Sequence, residues 1–193
     1  METIANITEK AFGDMIISIA RKRTKETINN LYGKLKINGN DRVTYYIERS
    51  LELEAKSSFT EVETVREYKN KGMDNIIQNQ MGMDFLGDLH SHPNGLKEVG
   101  DDDVSYSKKG LVYLIMALEP RYRNMRRFRL AENHEVLKGT LDLGKKSRLK
   151  NSILFFYLFG YVIENDNGKG KEVKQVKLEF NRDFLDKYQV SFG

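Results

Sequence analysis

The sequence predicts an α/β or α+β fold built around one central β-sheet, and three observations support this prediction. Helix-like and strand-like segments alternate in the first part of the chain, whereas strand-like segments dominate the second part. The chain has 193 residues, a length that suits one domain. Hydrophobic residues make up 39% of it, which is enough for a real core and excludes a disordered chain.

The first elements are a helix and a pair of strands. Apolar residues recur at helical spacing over residues 8–22, and Thr8 is suited to the N-cap position. Strand-like segments follow at 27–37 and 43–53. A short turn of Asn, Gly and Asp residues separates these two segments, so they are predicted to form a β-hairpin.

The middle of the chain alternates between the two kinds of element. Residues 62–81 are charged, with widely spaced apolar residues, and predict a helix that is broken near Gly72. A short apolar strand at 83–90 runs into a loop that contains Pro and Gly. Residues 101–109 predict a short helix whose acidic start is favoured by the helix dipole. A buried strand is predicted at 111–118.

Strands make up the predicted C-terminal part. Segments 126–130 and 135–143 are predicted to form a further hairpin. Two longer strand-like runs at 151–164 and 172–180 lie on either side of an Asn- and Gly-containing turn.

Composition limits the classes of partner and compartment. The net charge of +4 is too small by itself to argue for nucleic acid. Five arginines within residues 121–129, called the arginine run below, could bind an acidic partner or nucleic acid. A solvated edge strand is the favoured interpretation of this segment. The chain lacks a basic and apolar secretory signal, and its longest apolar stretch is too short to span a bilayer. We therefore expect a cytoplasmic protein with no membrane partner. The arginines are Arg121, Arg123, Arg126, Arg127 and Arg129.

A candidate metal site lies at the end of the strand predicted at 83–90. Because side chains of a strand alternate between faces, His90 and His92 leave the same face if the strand continues through them. The chain has no cysteine, so a metal site must use His, Asp or Glu. A catalytic zinc needs a third protein ligand and an open position for water. Spacing alone does not choose that ligand among the acidic residues that follow, which are Glu98, Asp101, Asp102 and Asp103. The alternative is a surface strand followed by an acidic helix cap.

The segment Gly87-Asp88-Leu89-His90-Ser91-His92-Pro93-Asn94-Gly95, followed by Asp103, resembles the motif of the JAMM (MPN+) zinc metalloproteases. The resemblance covers about residues 8–143. It implies a three-layer fold, with a central mixed sheet and flanking helices, over residues 1–145. It does not explain the last 50 residues. The two C-terminal strands predict that residues 146–193 are a β-hairpin extension packed on the same domain, which could extend the sheet or form an interface.

The resemblance also implies the roles of individual residues. In the family, two His and one Asp bind zinc, which assigns His90, His92 and Asp103 as ligands. A Glu after the first helix activates the water and is followed seven residues later by a glycine, and Glu26 fits that pattern because Gly33 follows it. The family position that steadies the water and the oxyanion is a Ser, seven residues after Pro, whereas this sequence has Gly100 there.

Two functions from different classes follow. The leading prediction is a zinc-dependent peptidase or isopeptidase that acts on a protein or peptide, as family members act on ubiquitin and ubiquitin-like proteins. The alternative is a catalytically impaired scaffold or binding module, with or without zinc. Gly100 motivates it, because losing one oxyanion donor typically costs on the order of 100- to 1000-fold in rate. Binding to nucleic acid through the arginine run is a weaker third alternative. The sequence allows a homo-oligomer and does not define the oligomeric state.

Overall fold

A closed β-sheet forms the body of the protein in the computed structural model. The structure describes residues 2–22, 24–39, 42–53, 55–57, 62–64, 67–95, 98–119, 136–142, 153–166, 170–181, 183 and 191–192. In chain order the elements are β1 (Glu2–Ile7), α1 (Glu9–Arg21), β2 (Ile28–Asn38), β3 (Arg42–Glu52), β4 (Ala55–Ser57), β5 (Val62–Thr64), α2 (Glu67–Asn75), a π-helix (Ile76–Gln80), β6 (Asp84–His92), α3 (Asp101–Tyr106), β7 (Val112–Glu119), β8 (Leu137–Asp142), β9 (Ile153–Asp166), β10 (Lys171–Glu179) and β11 (Ser191–Phe192).

Seven strands close the sheet in the order β1, β3, β2, β6, β7, β9 and β10, after which β10 pairs with β1 again. Strand β1 is parallel to both β3 and β10, and β6 is parallel to β7, whereas the other neighbours in this ring are antiparallel. The long strand β9 pairs with β7 along one edge. Its other edge pairs with β8 in its first half and with β10 in its second half.

The predicted three-layer arrangement of a central sheet between flanking helices is therefore wrong. The structure is mainly strand, and its described α-helices α1, α2 and α3 have only 13, 9 and 6 residues. Closure depends on β1, a strand that we did not predict from the sequence. The two strands predicted in the C-terminal part correspond to β9 and β10, which pair with each other and belong to the closed sheet.

Several local predictions are confirmed. Helix α1 has Thr8 as its N-cap, with the Thr8 hydroxyl accepting the Ala11 N–H at 3.2 Å. The predicted hairpin is the β2–β3 pair. The helix predicted over 62–81 is confirmed only in part, because it begins at Glu67 and continues into the π-helix, and the predicted break near Gly72 is wrong. The predicted strand at 126–130 and the arginine run lie outside the described residues.

The core has two parts, one on each face of β7 and β9. The larger part joins the apolar side of α1, including Phe12 and Met15, to residues of the closed sheet such as Leu114. The smaller part lies on the opposite face and includes Tyr113 and Tyr161. Because both faces of β7 are covered, its residues form a continuous apolar run, as expected for a buried strand with a parallel neighbour. None of the described helices is long and apolar enough to cross a membrane.

Candidate metal centre

Strand β6 positions the two histidines. It pairs with β2 on one side and with β7 on the other, so its backbone is fixed along both edges. The strand extends to His92, two residues beyond the predicted end. His90 and His92 are both buried and project from the same face, as their spacing in a strand requires.

The residue between the two histidines fixes this part of β6 to the chain that enters β2. Ser91 is fully buried, and its hydroxyl accepts the Thr27 N–H at 3.0 Å. The Thr27 hydroxyl donates to the same oxygen at 3.1 Å, and the Ser91 N–H donates to the Thr27 carbonyl at 3.0 Å. The Ser91 hydroxyl lies on the face of the strand opposite to the histidines, because strand side chains alternate between faces.

A tight turn and helix α3 bring the carboxylate to the histidines. Gly95 has a φ of 76°, which favours glycine, and its N–H donates to the His92 carbonyl. Helix α3 then begins with Gly100 as its N-cap, in extended backbone. Asp103 is the third residue of the helix, and its carboxylate accepts the Gly100 N–H at 2.8 Å. The cap thus fixes one side of the Asp103 carboxylate.

Three ligand atoms converge at this point. The Nε2 atoms of His90 and His92 are 3.1 Å apart. The two carboxylate oxygens of Asp103 lie 3.2 Å from Nε2 of His90 and 3.7 Å from Nε2 of His92. Zinc at 2.0–2.1 Å from tetrahedral N and O ligands would separate neighbouring ligand atoms by roughly 3.3 Å. These three residues could therefore hold a metal ion.

The electrostatics of the group also suit a cation. Burial of the His90 ring opposes a positive charge, but the carboxylates of Asp103 and Asp88 outweigh it and raise the pKa of His90 to about 9. Burial likewise opposes the charge of Asp103. The hydrogen bond and charge of His90, together with the Gly100 N–H, outweigh that effect and lower the pKa of Asp103. The site therefore stabilises positive charge between the rings and the carboxylate.

Asp88 is a site residue for which sequence analysis predicted no role. It lies two residues before His90 on the same face of β6, and its carboxylate is 3.9 Å from Nδ1 of His90. Histidines that bind metals generally direct their second ring nitrogen toward such a carboxylate or another acceptor. The period-two spacing of Asp88 and His90 was a signal for this placement.

Glu26 lies just before β2 and is buried. The register of β2 on β6 pairs Ile28 with His90, and the contacts between Thr27 and Ser91 continue this alignment. Because Thr27 meets Ser91 on the opposite face, alternation assigns residue 26 to the face of the histidines. Glu26 does not belong to the group of three ligand residues.

Packing between strands explains why residue 33, seven residues after Glu26, is a glycine. Gly33 lies at an irregularity in the pairing of β2 with β3. A Cβ atom on Gly33 would lie 1.8 Å from the carbonyl oxygen of Tyr46, which no real contact permits. Glycine is therefore needed here for the close approach of two strands, whatever the role of Glu26.

Gly100 lacks the hydroxyl of the family's serine, and neither of the two serines nearby in the sequence replaces it. The Ser105 hydroxyl donates to the Asp102 carbonyl at 2.7 Å on the exposed side of α3. The Ser107 hydroxyl is buried, donates to the Asp103 carbonyl at 2.6 Å and lies 3.1 Å from the Tyr161 hydroxyl. Both serine hydroxyls therefore bond within or beneath α3.

A groove lies beside α3. It has a volume of about 540 Å³, within the usual range for small-ligand pockets. Apolar side chains of Val99, Val104 and Phe159 line it together with polar groups of Tyr161 and Gln175. The groove is thus lined in part by the helix that carries Asp103.

Comparisons with known proteins give the fold and no function. No protein-family model matches the chain, and no curated protein matches it. The solution structure of DSY2949, a structural-genomics target protein from Desulfitobacterium hafniense, is similar with a TM-score of 0.56. The similarity covers 92% of this chain and 93% of that one, at 16% sequence identity. At this identity the match supports the fold alone.

Proposed function

We propose that this protein is a zinc-dependent hydrolase that cleaves a peptide or isopeptide bond. The observation that carries the proposal is the convergence of His90, His92 and Asp103 on one point. Three protein ligands leave a fourth position of a tetrahedral metal open to water, which is the arrangement of catalytic rather than structural zinc. The resemblance of the surrounding sequence to the JAMM motif supports this reaction class. The proposal rests on these residues and takes nothing from the overall fold.

Zinc is the metal that we propose, with iron as the competitor. Two imidazole nitrogens and one carboxylate are a common ligand set for hydrolytic zinc. The same set, with further open positions, also binds non-haem Fe(II) in oxygenases. The JAMM-like sequence around the histidines favours zinc, and elemental analysis of the purified protein distinguishes the two.

Glu26 is the proposed general base. When bound, zinc would lower the pKa of a water to about 7 and polarise the scissile carbonyl. Glu26 would take a proton from that water and transfer it to the leaving amine nitrogen as the C–N bond breaks. A water molecule is thereby divided between the new carboxylic acid and the new amine. Glu26 lies outside the group of three ligand residues, so this role would not require its carboxylate to bind the metal.

Asp88 and Ser91 would support the ligands in this proposal. Asp88 is near Nδ1 of His90 and would favour the ring form that presents Nε2 to the metal. Ser91 ties the histidine pair to Thr27, the neighbour of Glu26, through its three hydrogen bonds. This shared contact would align the ligands with the proposed base.

The first experiment tests metal binding and turnover together. Purified protein is analysed for zinc and iron per chain, then assayed with fluorogenic peptides and isopeptide-linked ubiquitin-like substrates, with and without chelator. We expect one zinc per chain and hydrolysis that chelator abolishes. Glu26→Gln should retain zinc and lose hydrolysis, whereas Glu48→Gln on the neighbouring strand should retain both. Hydrolysis that is unchanged in His90→Ala would show that the mechanism is wrong.

A metal-bearing binding module is the second candidate, and Gly100 is the observation that favours it. Neither Ser105 nor Ser107 supplies the missing hydroxyl. Gly100 has φ −73° and ψ 156°, a conformation that serine adopts readily. A Cβ atom there would lie 3.2 Å from the Asp103 carboxylate, so that carboxylate would have to move by a few tenths of an ångström, and zinc content is measured in the variant as well as hydrolysis.

The variant Gly100→Ser separates the two candidates. A large gain in hydrolysis, on the order of 100-fold, would show a weakened enzyme whose oxyanion donor has been restored. Zinc-loaded protein that hydrolyses no substrate in either form would favour the binding module. Gly13→Ala, at a half-buried position of α1 where an added Cβ meets no atom within 4 Å, is the control for a change from glycine.

A further inference from the structure

Helix α3 is too short to hold its own position. It has six residues, and isolated helices shorter than about 12 residues are marginal in water. Yet it carries Asp103, whose carboxylate must stay within ligand distance of both histidines. The groups that fix α3 therefore also fix the third ligand of the candidate metal centre.

The C-terminal end of α3 is held by a lysine from the closed sheet. Lys171 is the first residue of β10, and its Nζ donates to the carbonyls of Ser105 and Ser107 at 2.6 and 2.7 Å. The last carbonyls of a helix lack partners within the helix. A cation at this end also interacts favourably with the helix dipole. Lys171 thus satisfies two such carbonyls with one charged group.

A second set of contacts joins the same end of α3 to β7 and β9. The Ser107 hydroxyl bridges the Asp103 carbonyl and the Tyr161 hydroxyl. Tyr161 is buried and stacks on Tyr113, with ring centroids 5.3 Å apart. The Tyr113 hydroxyl in turn accepts the Lys108 N–H at 2.6 Å. The two tyrosines therefore bond to the residues that follow α3, and Lys171 bonds to carbonyls at the same end of the helix.

We propose that Lys171 is a positioning residue that holds α3, and with it the Asp103 carboxylate, in place for metal binding. This inference rests on the metal centre of the proposed function. It gives the C-terminal strand pair β9–β10 a role in the site, although neither strand supplies a ligand. Lys171 acts through the backbone of α3 and touches neither the metal position nor the histidines.

Lys174 provides a matched control on the same strand. Its Nζ pairs with the Glu164 carboxylate at 2.8 Å, across the β9–β10 pair. Lys171 and Lys174 are both lysines of β10, but only Lys171 bonds to α3 among the described contacts. Replacing each lysine by methionine removes the charge and retains most of the side-chain length.

The experiment compares Lys171→Met and Lys174→Met with the parent protein. Zinc affinity is measured by competition with a chromophoric chelator, cobalt substitution reports the coordination through its visible absorption, and metal-free melting temperatures report stability. Residues that orient metal ligands typically contribute 10- to 100-fold to affinity, so we expect about 10-fold weaker zinc binding in Lys171→Met. Its cobalt absorption should change, because Asp103 is less well held. Lys174→Met should match the parent in both metal readouts, and Lys171→Arg should recover most of the affinity.

Two outcomes would overturn the inference while leaving the proposed function intact. One is a Lys171→Met protein with the zinc affinity and cobalt spectrum of the parent. The other is an equal loss in Lys174→Met, which would reflect general weakening of the sheet. If Lys171→Met does not fold, Lys171→Gln retains one donor group and should show an intermediate loss. A parent protein that binds no metal refutes the proposed function, and the inference with it.

Discussion

Replacing Asp103 by asparagine should weaken metal binding without unfolding α3. The side chain has two roles, one for each carboxylate oxygen. One oxygen lies 3.2 Å from Nε2 of His90, while the other accepts the Gly100 N–H at 2.8 Å and caps the helix. The amide oxygen of asparagine can still accept the capping hydrogen bond. The variant therefore removes the charged ligand and keeps the local fold.

The expected magnitude follows from the number of ligands. Zinc sites with four protein ligands bind with about 10–16 kcal/mol, or roughly 3 kcal/mol for each ligand. A loss of about 3 kcal/mol corresponds to about 100-fold in the dissociation constant. The loss of the carboxylate's negative charge beside two imidazoles acts in the same direction.

The assay is competition for zinc between the protein and a chromophoric chelator at fixed pH and salt. Asp102→Asn is the matched control, because Asp102 lies in the same first turn of α3 but is exposed. We expect the parent affinity in Asp102→Asn and a loss of about 100-fold in Asp103→Asn. If the two variants bind zinc equally well, or if Asp102→Asn alone loses affinity, the assignment of the third ligand is refuted.

Three further predictions concern the same region of the sheet. Because the pKa of His90 is raised from 6.5 to about 9 and metal binding must displace its proton, titration should show zinc affinity rising from pH 6.5 to 9. Over that interval the metal-free protein should lose stability, since a raised pKa stabilises the fold only while the ring is protonated, and His90→Gln should flatten both profiles. Asp88→Asn should weaken zinc binding by about 10- to 100-fold in the same competition assay, and an unchanged affinity would remove Asp88 from the site. Gly87→Ala should lower the melting temperature and disturb the site, because its Cβ would lie 1.8 Å from the Val112 carbonyl oxygen. By contrast, Gly13→Ala should stabilise α1 by up to about 1 kcal/mol, and an equal melting temperature for these two glycine variants would contradict the stated packing.

Local features of the fold could be predicted from the sequence, whereas its closure could not. The apolar spacing and Thr8 defined α1, and the turn between 37 and 43 defined the β2–β3 hairpin. These signals act between residues that are close in the chain. Closure instead depends on the pairing of β1 with β10, which brings Ile4 to Lys177. The sequence of the six-residue strand β1 gives no indication of so distant a partner. The predicted helices instead suggested a sheet with separate helical layers.

The candidate metal centre shows the same division. His90 and His92 could be found because two ligands on one strand have a fixed spacing. Choosing Asp103 among three consecutive aspartates depended on the family resemblance, and the structure brings Asp103 to the histidines. The contacts of Lys171 with α3 carried no sequence signal, because they join residues more than 60 positions apart. Such positioning contacts become visible only in three dimensions.

The hydrogen bonds between Ser91 and Thr27 also disfavour a wrong register of β6 in the sheet. A shift of β6 by one residue would exchange its two faces. Ser91 would then point toward the metal position, and both imidazoles would enter the apolar interior without partners. The buried serine and threonine hydroxyls would lose each other at the same time, and unpaired buried polar groups are costly. The hydroxyls of Ser91 and Thr27 thus favour the native register of β6, because a shifted strand would bury unpaired polar groups on one face and expose Ser91 at the metal position on the other.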